Sequence, residues 1–218
     1  MTVVRGLAIL LSAALAAAAA SSFAADVGVI NHLAGLVTIT NGVGTTKAQA
    51  YMNINEGDRF EVPAGVIVKV AYFQGGRQES FEGPVSFVVG SNQSVVRRGS
   101  GPQVTMLPSG VPQKISQTPD LVHIAKLGTA GVAPSSRELR LTPQQQAEVR
   151  QARQIYAKLR AETPADDITP ELYLYSVLQD HVLYTEMRAI VAEMGKRQPG
   201  NRDVMVLTEY VRLKTEPK

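Results

Sequence analysis

Between Gly35 and Pro84 the chain repeats one pattern, a short alternating run followed by a turn that contains glycine. Gly35-Leu36-Val37-Thr38-Ile39 leads into Asn41-Gly42-Val43-Gly44, and a return strand comes next over Thr45 to Tyr51. Asn55-Glu56-Gly57-Asp58 makes a second turn before Arg59-Phe60-Glu61-Val62, and Pro63-Ala64-Gly65 breaks that run. Val66, Val68, Val70 and Tyr72 then share one face of a strand, and Ile67, Lys69, Ala71 and Phe73 share the other. Because both faces are largely apolar, that strand belongs in the middle of a covered sheet. Gln74-Gly75-Gly76-Arg77 closes a hairpin onto Gln78 to Glu82, and Gly83-Pro84 ends it. Further candidates are Val85–Val89, Ser94–Arg97 and Gln103–Leu107. Strands this short and this evenly spaced predict an all-β sandwich or small barrel over residues 25–107.

The composition changes after that ladder. Residues 108–140 carry Pro108, Pro112, Pro119 and Pro134 with three glycines, and read as a semi-ordered linker crossing the β module. Within it, Leu121-Val122-His123-Ile124-Ala125 is apolar enough to pack on a neighbour. From Leu141 the period becomes helical. Thr142-Pro143-Gln144-Gln145 is a capping box with proline in the first turn, and Val149, Ala152, Tyr156 and Leu159 fall on one face. Thr163-Pro164 ends that helix. Thr169-Pro170-Glu171 opens a second run with a break near Asp180-His181, and Asp203–Leu213 forms the last helix. The fold class expected is therefore α+β in two domains, with residues 141–218 forming a bundle of three or four helices.

The first 24 residues read as a secretory signal. Arg5 supplies the positive start, Leu7 to Ala20 is apolar apart from Ser12, and Ser22-Phe23-Ala24 is a small-x-small cleavage site. The apolar run is shorter than the roughly 20 residues a membrane helix needs. No cysteine comes after it for a lipid anchor. The expectation is a bacterial periplasmic protein that starts near Ala25 and keeps no transmembrane segment. The chain has no cysteine at all, which excludes thiol chemistry, cysteine-based metal sites and disulfide staples. Charge is balanced on both sides of the linker: residues 25–136 hold eight Lys/Arg and seven Asp/Glu, and residues 137–218 hold thirteen and twelve. With no basic block, a nucleic-acid partner is not expected; Arg97-Arg98 reads as a solvated loop tip.

The β half resembles the FecR-type periplasmic domain. The resemblance rests on Gly35, Val37 and Ile39; on Gly57, Asp58, Phe60 and Val62; on Gly65, Val68, Val70 and Phe73; and on Gly76 and Gly83-Pro84. It covers about a third of the chain and implies an extracytoplasmic module. Membrane-anchored members of that family relay a receptor signal to a sigma factor. Here a cleavable signal replaces the sigma-binding segment and membrane helix, so the resemblance implies the stand-alone, secreted use. The helical half resembles one tetratricopeptide unit. Aligned on Pro199, it has Tyr184 at the mid-repeat aromatic position and Leu174, Leu178 and Val191 at apolar ones, while Tyr175 and Met187 stand where small residues are usual. One unit cannot make a solenoid, so a capped helix pair packed on the preceding helix is expected.

No catalytic set accompanies these modules. His32, His123 and His181 have no metal-ligand spacing. Asp180-His181 reads as a helix end, and Asp166-Asp167 as acidic charge ahead of a helix N-terminus. Gly57-Asp58 lacks the remaining ligands of a calcium loop and reads as a turn, as do Gly76 and Gly83. No metal, cofactor or enzymatic activity is expected. Tyr51 and Tyr72 are the candidate residues of a glycan platform, with core packing the favoured alternative for the aromatics. On the repeat-like alignment Ser176, Gln179 and Asp180 would face a concave groove and meet a partner protein. The function expected is a non-enzymatic envelope interaction or scaffold protein. Peptidoglycan or polysaccharide binding by the β domain is the alternative, and an accessory role in extracytoplasmic signalling the second one.

Overall fold

A computed structural model of the protein describes residues 25–129 and 140–216; the signal-like segment lies outside them. Ten strands come first: β1 Asp26–Ala34, β2 Thr38–Asn41, β3 Gly44–Lys47, β4 Asn53–Asn55, β5 Arg59–Val62, β6 Ile67–Tyr72, β7 Arg77–Glu82, β8 Val85–Val89, β9 Ser94–Arg98 and β10 Gln103–Met106. They form two antiparallel sheets of five, in the orders β10-β7-β6-β1-β4 and β3-β2-β5-β8-β9. Among the described residues six helices come after them: α1 Val111–Ser116, α2 Thr118–Thr129, α3 Pro143–Glu162, α4 Thr169–Asp180, α5 Tyr184–Arg197 and α6 Arg202–Thr215.

Alternation explains the sandwich. Ile30, Val68, Val70, Tyr72 and Phe81 from the first sheet meet Ile39, Phe60, Val62, Val85, Phe87 and Val89 from the second. Phe87 sits at the centre, stacked on Phe81 at 3.9 Å and on Phe60 at 4.7 Å between ring centroids. Fully burying one such side chain contributes roughly 1.5–3 kcal/mol. One buried polar knot lies in the same core. Glu79 accepts from Arg77 Nε at 2.7 Å and from the Ser94 backbone N–H at 3.0 Å, and the Ser94 hydroxyl pairs with Tyr72 Oη at 2.7 Å. Ser94 thus ties the end of β9 to both β6 and β7.

The outer face of the first sheet is covered by helices. Val29 of β1 and Ala71 of β6 belong to the same buried cluster as Val111 and Ile115 of α1 and Leu172 and Tyr175 of α4. β6 is the middle strand of its sheet and is apolar on both faces except for Lys69. The molecule is thus layered, sheet on sheet on helices. The expected linker takes part in this packing. Residues 111–129 form α1 and α2, with α1 seated on β1 and α4, and α2 on α6. Pro112 and Pro119 signal a break in the sequence, yet each lies in the first turn of a helix, where proline gives up no intrahelical hydrogen bond. Residues 130–139, which include Pro134, lie outside the described residues. The second long run divides into α4 and α5 at His181–Leu183, where Val182 has φ 58°.

The chain crosses closely at Gly83. A β-carbon there would fall on the carbonyl oxygen of Pro63 and come within 2.6 Å of that of Val62, both backbone atoms that cannot swing away. Gly83→Ala is therefore expected to lower stability by about 1–3 kcal/mol through overpacking, read as a lower midpoint in urea unfolding. Gly65→Ala is the contrast, since nothing lies within 4 Å of a β-carbon there although its φ is +73°; its cost should come from the backbone alone.

Candidate functional site

The seam between the outer sheet face and the α3–α4 loop holds four of the nine buried polar residues among those described, Asn31, Asp167, Thr169 and Glu171, and it begins with an irregularity in β1. Ile30 pairs with Val70 and His32 with Lys69, which leaves Asn31 as the extra residue of a β-bulge. A bulge re-aims the side chain it carries. Asn31 is only 1% exposed, and its Nδ2 donates to Gln78 Oε1 at 2.6 Å. Gln78 Nε2 in turn donates to Thr105 Oγ1 at 3.0 Å. The chain of side chains crosses from β1 to β10, passing over β6 where the residue opposite Gln78 is the small Ala71. Asn31 Oδ1 is buried without a hydrogen-bond partner. The chain can also run in reverse, with both amides turned and the Thr105 hydroxyl donating; one amide atom of Asn31 is still left over.

Two ion-pair knots hold the helices over this face. Lys69 Nζ lies 3.2 Å from Asp167 Oδ2, with both side chains largely buried. Asp167 Oδ1 also accepts from the Thr169 backbone N–H at 2.9 Å, capping the first turn of α4. Thr169 Oγ1 donates to the Asn31 carbonyl at 3.2 Å, so bulge and helix start are tied directly. Behind them Glu171, fully buried, takes Arg160 at 3.0 Å and Arg197 at 3.1 Å. Arg160 also donates to the carbonyl oxygens of Thr163, Pro164 and Asp167, fastening the loop between α3 and α4. His32 Nδ1 stands 3.9 Å from Asp167. Its pKa is lowered from 6.5, chiefly by burial, with Lys69 adding to the effect and Asp167 and Asp166 opposing it.

Between these groups lies a cavity of about 180 Å³. Asn31, Gln78, Ser80 and Thr105 line its sheet side, while Leu107, Leu159 and Pro164 supply apolar wall. Ser80 and Gln103 also border a second, open trough of about 610 Å³ that runs to Glu82, Gly83 and the Gly99–Gly101 loop. The cleft and trough are therefore adjoining parts of one surface, along β7 and β10.

The residues singled out from sequence for glycan or partner contact lie elsewhere. Tyr72 is fully buried in the sandwich and tied to Ser94, and desolvation raises its pKa. Tyr51, with φ 66°, packs against the helical core and has its pKa raised by burial. The two tyrosines do not form a platform, because one points between the sheets and the other under the helices. The concave groove expected on α4 is filled by α1. Ser176 is fully buried and donates to Gln117 Oε1 at 2.8 Å. Gln179 is half-buried and hydrogen-bonds Tyr210, and Asp180 is exposed but paired with Lys114 of α1. His181 faces Glu148 at 3.4 Å, so Asp180 and His181 engage different helices. Gly57 has φ 91° and Gly76 φ 69°. Asp58 Oδ2 accepts from the Asn55 backbone N–H at 2.9 Å, and burial raises the Asp58 pKa. Among the described residues no group of three or more His, Asp or Glu is placed to hold a metal ion, and no helix is long and apolar enough to cross a membrane. The sequence signal that points to the cleft is Lys69, a lone cation on an otherwise apolar strand face.

No family model matches the sequence, and neither a curated protein nor a solved structure matches it.

The charge arrangement has two measurable consequences. Glu171→Gln takes the carboxylate partner from Arg160 and leaves Arg197 with Glu193 at 3.9 Å, and is expected to cost about 3–5 kcal/mol, measured by chemical denaturation. His32 has a lower pKa folded than unfolded, so below pH 6.5 the unfolded chain takes up a proton that the folded chain resists. Its contribution to stability is full above pH 6.5 and is lost as pH falls from there toward the lowered native value. His32→Gln should flatten that part of the stability–pH profile, seen as a smaller change in urea midpoint between pH 7.5 and pH 5.5.

Proposed function

We propose that the chain is a non-enzymatic interaction or scaffold protein of the bacterial cell envelope, built on a FecR-like sandwich fused to a helical layer. One observation carries this reading. The buried charges at the seam neutralise one another across elements, Lys69 with Asp167 and Glu171 with Arg160 and Arg197. The other groups facing the open space are chiefly amides and hydroxyls, with Glu162 a further lining carboxylate. That set is dominated by recognition chemistry, and acid–base catalysis there would rest on Glu162 alone. The secretion signal read from residues 1–24 and the resemblance of the β half to the FecR-type domain support an envelope setting.

The two layers share a core through Val29 and Ala71, so neither half is a sound reagent alone. The test uses the mature chain from Ala25, tagged and cross-linked in a periplasmic extract. The expected result is recovery of the protein from the periplasmic fraction with a defined set of envelope proteins that excess untagged chain competes away. Recovery in the cytosol, or no competable partner, counts against the proposal.

A further inference from the structure

We propose that the cleft beneath the α3–α4 loop binds the end of a neutral glycan, with one sugar ring in the cavity and the adjoining units lying along the trough between β7, β10 and the Gly99–Gly101 loop. Four features converge on that ligand.

Size comes first. A cavity of about 150 Å³ holds a benzene-sized ring, and this one, at about 180 Å³, admits a single substituted six-membered ring and no more. The second feature is the donor set. Amides and hydroxyls both donate and accept, as sugar hydroxyls do, and the sheet side of the cavity presents Asn31, Gln78, Ser80 and Thr105. Asn31 keeps one amide atom buried and unpaired. An unsatisfied buried polar group of this kind costs about 1–3 kcal/mol, a cost that a ligand hydroxyl or acetamido group reaching Asn31 removes. Third, the cavity's cation Lys69 is held by Asp167, and a second carboxylate, Glu162, stands in the lining. An acidic ligand would have to compete with Asp167 and would meet Glu162, so an uncharged one is favoured. Fourth, Leu107, Leu159 and Pro164 give an apolar wall opposite the polar floor, which suits the two-sided character of a sugar ring. Ser80 and Gln103 border both spaces and provide the way out into the trough, so the cavity takes the terminal ring and the trough takes the rest of the glycan.

This site differs from a Tyr51 and Tyr72 platform, and it stands independently of the protein partner proposed above. Competable capture of an envelope protein reads the same whether the cleft is filled or empty.

The experiment is a titration of the isotope-labelled mature chain monitored by amide NMR, with isothermal calorimetry for affinity. The probes are N-acetylglucosamine, its β-1,4-linked disaccharide and trisaccharide, the corresponding glucose series, and an oligogalacturonate as the acidic comparison. The expected result is movement of the Asn31 and Gln78 side-chain amide signals with a neutral series, and tighter binding of its trisaccharide than of its monosaccharide. Asn31→Ala removes the unpaired amide but sits in the bulge and risks the fold. Gln78→Met and Thr105→Val act nearer the surface and keep chain length or shape. Each is expected to weaken binding by about tenfold, the equivalent of one good hydrogen bond; Thr105→Val retains the thermal midpoint, whereas Gln78→Met takes the acceptor from Asn31 Nδ2 and lowers it. The proposal is overturned if no neutral saccharide moves those amide signals at millimolar concentration, or if the shifts map away from the cleft. It is equally overturned if the acidic oligomer binds more tightly than the neutral ones, or if both surface variants bind as the parent does. A monosaccharide as tight as the trisaccharide removes the trough from the site.

Discussion

Everything in this molecule depends on covering both faces of one sheet. β1 runs Gly28, Val29, Ile30 and Asn31 all buried, which no half-solvated strand does. Ile30 goes to the sandwich core and Val29 to the helical core. The same division holds in β6, where Val70 and Tyr72 face the second sheet and Ala71 faces the helices. A sheet with two apolar faces left open on one side would present an adhesive surface. α1 and α4 close it; α3 and α5 pack on α4, and α6 packs on α5 and α2.

Closing a sheet face with helices brings polar backbone and side chains into a dry seam, and the charges there are placed accordingly. Asp167 serves three ends at once: it caps α4, pairs with Lys69 from the sheet, and faces His32 across the bulge. Arg160 directs its donors to three loop carbonyl oxygens and to Glu171. The loop between α3 and α4 is thus held by side chains as well as by its own turn, in which the Asp167 N–H donates to the Pro164 carbonyl at 3.2 Å. That explains how a segment reading Thr-Pro-Ala-Asp-Asp can form a fixed wall of a cavity.

Local rules carry the strands and helix ends a long way. The central position of β6 is legible from its two apolar faces, and the cap at Thr142 is present as a complete box with Gln145. Sequence signals fail where a tertiary contact decides the outcome. β1 escapes assignment because Asn31 and His32 interrupt its alternation; the interruption is the bulge itself. Residues 111–129 read as a linker when proline is counted as a breaker, and its place in a first turn depends on where the helix begins. Ser176 faces outward on a repeat template that has no counterpart of α1. Tyr72 shares the apolar face of Val68 and Val70, so its core position is the favoured reading, but the partner of its hydroxyl, Ser94, comes from the other sheet and has no local signal. The cleft is the least legible feature, since Asn31, Gln78, Thr105 and Asp167 come from three strands and a loop with no motif among them.

The cost of that cleft bears on its purpose. Buried ion pairs can often be replaced by well-packed apolar residues at no loss of stability, with gains of about 1–4 kcal/mol in some proteins. A seam whose only task was to glue helices onto a sheet would be satisfied by more residues like Val29 and Ala71. Instead the sheet sends Asn31, Lys69 and Gln78 into it, and Asn31 keeps an amide atom unsatisfied. Helix attachment explains Lys69, which anchors Asp167, and it explains the Asn31 carbonyl, which receives Thr169. It does not explain the Asn31–Gln78–Thr105 relay, which bonds no helix and ends on an exposed edge strand. The relay aligns a row of hydrogen-bonding groups beside an open cavity, an arrangement whose free energy is recovered only when something polar occupies it.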